Sequence, residues 1–87
     1  MEEKFNMIQQ IRRAVLSVKL NSAEGASRKS SLERSRYLET ARGSIIEIDA
    51  ALETAVDLHY LIADDLNKTG ILLNRCFAIL SKMIDTK

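Results

Sequence analysis

The sequence predicts an all-α protein built as a helical bundle, and three observations support this fold class. The chain of 87 residues contains no proline and only three glycines. Residues with good helix propensity (alanine, leucine, glutamate, lysine and arginine) are abundant along its length. Apolar residues recur at alternating spacings of three and four, which is the periodicity of a bundle helix. We therefore expect three helices and one helical bundle domain covering residues 1–87.

The first helix is predicted over about residues 3–23. Ile8, Ile11, Val15 and Val18 share one face at helical spacing. Gly25 follows two residues after the predicted end and suits the left-handed conformation that often terminates a helix.

The second helix is predicted over about residues 30–60, after a turn at residues 26–29. Ser30 and Glu33 have capping-box spacing, in which each side chain bonds the backbone N–H of the other residue. The apolar stripe that follows ends near His59, for which we expect a structural, hydrogen-bonded role. Its members are Leu38, Ala41, Ile45, Ile48, Leu52, Ala55, His59 and Ile62.

The third helix is predicted over about residues 64–85. Its stripe contains Cys76, which we expect to be a buried, unreactive core residue. Gly70 falls inside this helix, where it marks either a close helix contact or a tolerated defect. The stripe runs through Leu66, Thr69, Leu73, Cys76, Leu80 and Met83.

Apolar rows beside these stripes, such as Leu72 and Ile79 on the third helix, exceed what three helices can cover. Large exposed apolar patches usually mark contact sites, so we expect a homo-oligomer. The single cysteine and the lack of a signal peptide or an apolar run of membrane-spanning length predict a cytoplasmic protein without membrane association.

Charge is distributed unevenly, although the formal net charge is only +1. Residues 1–42 carry nine Lys/Arg against five Glu, and residues 43–87 carry four Lys/Arg against seven Asp/Glu. Such a split indicates a polyanionic partner for the basic half, charge-matched packing between copies, or merely a solvated mixed surface.

No pattern of catalytic chemistry is present. The stretch at residues 23–30, AEGASRKS, lacks the glycine spacing of phosphate-binding loops, and the only histidine has no carboxylate at metal-site spacing. A helix-turn-helix fits poorly, because its recognition helix is short whereas the second helix here spans about thirty residues. We expect no enzymatic activity, no metal and no cofactor.

The basic residues around the first joint form the candidate nucleic-acid-binding set. They could converge at one end of the bundle, where arginine side chains and a helix N-terminus can bind phosphate. Nearby glutamates offer the competing interpretation that these cations are used in ion pairs, within one chain or between chains. The candidates are Arg12, Arg13, Lys19, Arg28, Lys29, Arg34 and Arg36.

Several motifs resemble one bacterial family. They are QIRRA at residues 10–14, NSAEG at residues 21–25, Arg28 with Ser30 and Glu33, and RYL at residues 36–38. The family consists of four-helix-bundle proteins encoded in intervening sequences of bacterial large-subunit ribosomal RNA genes, which have been labelled ribosomal proteins.

The resemblance implies an up-and-down antiparallel bundle, assembly into rings, and no catalytic activity. It also implies a polar network or interface formed by Ser17, Asn21, Glu24, Glu33 and Glu47. Family members usually have a further N-terminal helix before QIRRA. The resemblance therefore implies a truncated four-helix bundle with three helices in this chain, whether by loss of the first helix or by a late start site.

The resulting hypothesis is a non-enzymatic, oligomeric bundle protein that binds structured RNA or another nucleic acid through its basic N-terminal half. The alternative is an assembly or scaffold module that binds a protein partner and has no nucleic-acid role.

Overall fold

The computed structural model describes residues 2–61 and 63–85 and contains three helices. Helix α1 is Glu2–Ser27, α2 is Ser31–Asp57 and α3 is Ala63–Asp85. The described residues form no strand, so the predicted all-α fold class is confirmed. Helix α1 extends four residues beyond its predicted end, and α2 stops three residues short of its own.

The joint between α1 and α2 contains the predicted N-cap but only half of the predicted capping box, because the Glu33 carboxylate makes no bond to the Ser30 N–H. Ser30 has extended backbone angles, φ −71° and ψ 129°, and its hydroxyl accepts a hydrogen bond from the Glu33 N–H at 3.4 Å. Arg34 then donates from one guanidinium nitrogen to the carbonyls of Arg28 at 3.2 Å and Lys29 at 3.4 Å. The Arg34 side chain of α2 therefore holds the backbone of the segment between α1 and α2 in place.

Gly25 does not end α1, so the prediction of a left-handed terminator there is wrong. No described glycine has a positive φ, and Gly25 is a buried residue inside the helix. A Cβ at this position would lie 3.1 Å from Leu38 Cδ2 and 3.2 Å from Tyr37 Cβ. The glycine is needed because α1 and α2 approach closely at this point.

The joint after α2 is formed by His59 instead of by a glycine. His59 has φ 63°, the left-handed conformation that side chains with a Cβ rarely adopt. Its N–H donates to the Val56 carbonyl at 2.9 Å, and the Tyr60 N–H donates to the Ala55 carbonyl at 2.8 Å. This pair of bonds is a Schellman motif, which terminates helices.

His59 is consequently exposed, so its predicted place on the apolar stripe is wrong. The apolar periodicity continues through His59, but the left-handed backbone angles of His59 end the helical face there. Ile62, the last predicted member of that stripe, lies outside the described residues.

Helix α2 is the central element, and both other helices pack on it. No described Cα atom of α1 lies within 8 Å of one in α3. The core is a buried cluster of Leu38, Ala41 and Ile45 from α2 with Leu80 from α3. Val18 of α1, together with Leu73 and Ile84 of α3, covers this cluster from the two sides. Leu38 is the largest side chain that is wholly buried, at 0% exposure.

Polar contacts mark the outer edges of the two interfaces. Ser44 donates to the Ser17 hydroxyl of α1 at 2.8 Å, and Arg42 donates to the Ser81 hydroxyl of α3 at 3.0 Å. At 100° per residue, Arg42 and Ser44 lie on nearly opposite sides of α2. The buried stripe of α2 occupies the part of the helix surface between Arg42 and Ser44.

Cys76 is exposed, so the prediction of a buried core cysteine is wrong. Within the described residues α3 packs on α2, and this contact covers the part of its stripe near Leu73 and Leu80 but not the flank that carries Cys76. Gly70 does lie inside α3 as predicted. Nothing lies within 4 Å of a Cβ built on Gly70, so it marks no close contact within the described chain.

Candidate assembly and nucleic-acid surfaces

An exposed apolar surface lies between α1 and α3, and we refer to it as the open face. It consists of Ile8 and Val15 on α1 and of Leu72, Ile79 and Met83 on α3. Leu72 is 60% exposed and Ile79 is 59% exposed. Exposed apolar side chains that form one continuous patch commonly mark a contact site.

Helix geometry places both rows on the same side of the molecule. On α1, Ile8 and Val15 lie on the flank opposite to Ser17, which bonds α2 at the outer edge of the first interface. On α3, Leu72 and Ile79 lie on the flank opposite to Ser81, which bonds α2 at the outer edge of the second interface. Both rows therefore border the buried stripe of α2 from either side.

A depression of about 250 Å³ occupies the end of the open face near the second joint. Ile8 and Ile11 of α1 line it together with Leu52 and Ala55 of α2. The ring of Tyr60 borders it and carries the Lys4 ammonium 5.7 Å from its centroid. The depression has the size and lining for one or two large apolar side chains from another molecule.

The Arg28 side chain makes its contacts within the joint between α1 and α2. It donates to the Glu24 carboxylate at 2.8 Å and to the Tyr37 hydroxyl at 3.2 Å, and its guanidinium lies 5.1 Å from the centroid of the Tyr37 ring. The hydrogen bond to Glu24, followed by the electrostatic influence of Tyr37, raises the pKa of Arg28 above its usual value. Its Nε is shielded from solvent without a hydrogen-bond acceptor.

The seven predicted nucleic-acid-binding cations thus divide into two groups. Arg28 and Arg34 bond groups at the joint. The other five side chains are exposed, and no hydrogen bond or ion pair engages them within the described parts of the chain. These five, which we refer to as the free cations, are Arg12, Arg13, Lys19, Lys29 and Arg36.

The model of the family described as 23S rRNA-intervening sequence protein matches residues 1–82. The chain belongs to this family. The match confirms the resemblance carried by the QIRRA, NSAEG and RYL motifs. No curated protein and no solved structure matches the chain.

The polar residues that the family resemblance implied do not form one network in this 23S rRNA-intervening sequence protein. Asn21 donates to the carbonyl and the hydroxyl of Ser17 at 2.9 and 3.1 Å, and Ser17 accepts from Ser44. Glu24 is paired separately with Arg28. The Glu33 and Glu47 carboxylates are exposed and make no bond to another described residue.

Some of these residues meet in a second depression, of about 380 Å³, on the outer side of the α1–α2 pair. Asn21, Arg28, Glu33 and Arg36 line it with Tyr37. Sequence reasoning missed Tyr37 and Ser44 as polar partners, although both stand at α1-facing helical positions. The mixed charges of this depression suit a polar protein surface better than a phosphate group alone.

No three potential ligands among the described His, Cys, Asp and Glu side chains, which do not include Asp65, converge on one point. Over the described ranges, 2–61 and 63–85, none of the three helices offers an apolar stretch long enough to span a bilayer.

Proposed function

We propose that this 23S rRNA-intervening sequence protein is a non-enzymatic, cytoplasmic helical module that functions through self-assembly. The observation that carries the proposal is the open face, where both flanks of the groove above α2 are apolar and exposed. The exposed free thiol of Cys76 fits a reducing compartment.

The chain buries little apolar surface by itself. Seven apolar residues are buried among the described ones, and four of those are the cluster around Leu38. Burying one large aliphatic side chain contributes about 1.5–3 kcal/mol, so covering the five residues of the open face contributes several kcal/mol per chain. This gain is available only when another surface covers the face.

The direct test is the mass of the purified protein in solution. Light scattering or sedimentation at tens of micromolar should give a multiple of the chain mass of 9.8 kDa. A Leu72→Glu/Ile79→Glu variant places two charges on the open face and should lower that mass to one chain, because charged groups resist burial without partners.

A matched control places the same two charges one position earlier on α3. Ile71 and Ala78 are exposed and lie about 100° away from Leu72 and Ile79 around the helix. An Ile71→Glu/Ala78→Glu variant should therefore assemble like the parent protein. A monomeric parent, or equal loss of assembly in the two variants, would refute the proposal.

A second function, nucleic-acid binding, is favoured by the five free cations. No described carboxylate pairs with them, so their attraction for phosphate is not already offset by an internal partner. Their number sets the expected salt dependence. If all five contact phosphates, affinity falls roughly 500-fold between 50 and 200 mM salt.

The test is a titration of a fluorescent structured RNA at these two salt concentrations. An Arg12→Ala/Arg13→Ala variant should bind more weakly and show a shallower salt slope, because two phosphate contacts are lost. Lys68→Ala/Arg75→Ala removes the same charge from α3 and should have little effect. If low-salt binding is absent, the assembly function stands alone, with a protein partner as the alternative ligand.

A further inference from the structure

We infer that the open face receives the acidic side of α2 from a second copy of this chain, so that copies join head to tail. The open face is bordered by cations on both of its helices, and the opposite side of α2 carries carboxylates around an exposed isoleucine. This inference rests on the proposed self-assembly and adds which surface of the second copy covers the open face.

The α1 border of the open face is basic. Lys4, Arg12 and Lys19 lie within about 60° of Ile8 and Val15 around the helix axis. Lys4 also lines the depression near the second joint. The three glutamates of α1 lie on its other sides, so this flank of the helix carries positive charge alone.

The α3 border is basic as well. Lys68, Arg75 and Lys82 recur every seven residues and lie within about 60° of Ile79 around the helix axis. Lys68 is paired with Asp64 at 3.6 Å, whereas Arg75 is exposed and forms no ion pair with a described residue. Two open faces placed against each other would bring these like-charged borders together, so the charges favour a different, acidic surface as the partner.

Helix α2 provides an acidic surface on the side opposite to the open face. Residues 43–57 contain four acidic residues and no lysine or arginine. Ile46, which is 57% exposed, and Ala50 form a short apolar row there, with Glu53 on one flank and Glu47 on the other. We refer to these four exposed residues and the exposed Asp57 as the acidic surface.

The carboxylates of the acidic surface are available to a partner. Those of Glu47, Glu53 and Asp57 form no ion pair with another described residue. Ile46 borders a depression shared with α3, and Glu47 borders one shared with α1, so the acidic surface extends across the back of the molecule.

The acidic surface and the open face match in length and in pattern. Residues 46–57 span about 17 Å of helix, and the α3 border from Lys68 to Lys82 spans about 21 Å. A row with acids on both flanks therefore lies over an apolar groove with cations on both borders. Apolar burial drives the contact, and the charges select the surface that covers the groove. Because the two surfaces differ, the contact repeats from copy to copy, as it does in rings and filaments.

The contact uses part of the nucleic-acid-binding set. Arg12 and Lys19 form ion pairs between chains in this arrangement, which is one of the two uses that the sequence left open for these cations. Arg13, Lys29 and Arg36 lie outside the α1 and α3 borders and stay accessible to phosphate.

The test is complementation between two variants that each lose one surface. Leu72→Glu/Ile79→Glu disrupts the open face and keeps the acidic surface, and Glu47→Lys/Glu53→Lys reverses charges on the acidic surface and keeps the open face. Each variant alone should sediment at the mass of one chain and keep the helical circular dichroism of the parent. An equimolar mixture should form a complex with one chain of each variant, because one intact pair of surfaces remains.

Glu2→Lys/Glu3→Lys is the matched control, since it reverses two charges outside both surfaces and should keep the mass of the parent. Assembly of Glu47→Lys/Glu53→Lys like the parent would overturn the inference and leave self-assembly intact. A mixture that stays at single-chain mass while both variants remain helical would do the same. A parent protein of single-chain mass would leave the open face to a different molecule and would overturn the inference together with the proposed function.

Discussion

Replacing Gly25 by alanine tests the close approach of α1 and α2. The new Cβ would lie 3.1 Å from Leu38 Cδ2, 3.2 Å from Leu38 Cγ and 3.2 Å from Tyr37 Cβ, all closer than ordinary van der Waals contact. Leu38 is wholly buried and cannot swing into solvent. The added methyl group therefore requires Leu38 and Tyr37 to shift by a few tenths of an ångström.

Two opposing effects determine how much Gly25→Ala changes the free energy of unfolding. Overpacking of this kind lowers the free energy of unfolding by about 1–3 kcal/mol. Alanine has better helix propensity than glycine by up to about 1 kcal/mol, although less near a helix end. The net expectation for Gly25→Ala is a loss of about 0–3 kcal/mol in the free energy of unfolding.

Gly43 provides a control that isolates the contact. It also lies inside a helix, is exposed, and has nothing within 4 Å of a built Cβ. Gly43→Ala should therefore raise stability by up to about 1 kcal/mol. Urea unfolding followed by circular dichroism at one fixed protein concentration would compare the variants, since assembly makes stability depend on concentration.

The difference between the two variants should be at least about 1–3 kcal/mol, because it contains the overpacking term and also the smaller helix-propensity gain near the end of α1. It should shrink in a Leu38→Ala background, where the crowded side chain is truncated. If Gly25→Ala stabilises the protein as much as Gly43→Ala does, the close helix approach described above is incorrect.

Three further substitutions test other features by the same unfolding measurement. His59→Gly should raise stability by up to about 1 kcal/mol because it removes a Cβ from a left-handed position, whereas His59→Ala should give no gain. Ser30→Ala should lower stability by about 1 kcal/mol through loss of the N-cap bond, and an unchanged value would contradict its capping role. Leu38→Ala should lower it by about 2–5 kcal/mol, and Leu32→Ala, at an exposed position on the same helix, should change it little.

The helices themselves followed from the sequence because their signals are local. The spacing of apolar residues and the pair Ser30 and Glu33 depend only on neighbours along one helix, and the start of α2 was predicted correctly. The ends of α1 and α2 were harder to predict. Gly25 could equally end a helix or permit a close contact, and only the position of Leu38 distinguishes these roles.

Burial across helices was predicted less well because it depends on which helix faces which. Cys76 shares a stripe with Leu80, yet one is exposed and the other buried, since α3 contacts α2 alone. Likewise, Arg28 and Arg12 are both arginines in a basic segment. Arg28 donates hydrogen bonds to Glu24 and Tyr37, whereas the Arg12 side chain bonds no described residue.

Among the described residues, no Cα atom of α1 lies within 8 Å of one in α3, and this arrangement has a consequence for how the chain opens. Because the close backbone contacts of each outer helix are made with α2, detachment of one outer helix breaks few contacts of the other, and each can open as a separate cooperative unit. The amide hydrogens of α2 around Leu38 and Ile45 would then exchange most slowly with solvent. When another surface covers the open face, it contacts both α1 and α3, so the two helices should unfold locally in one cooperative step instead of two.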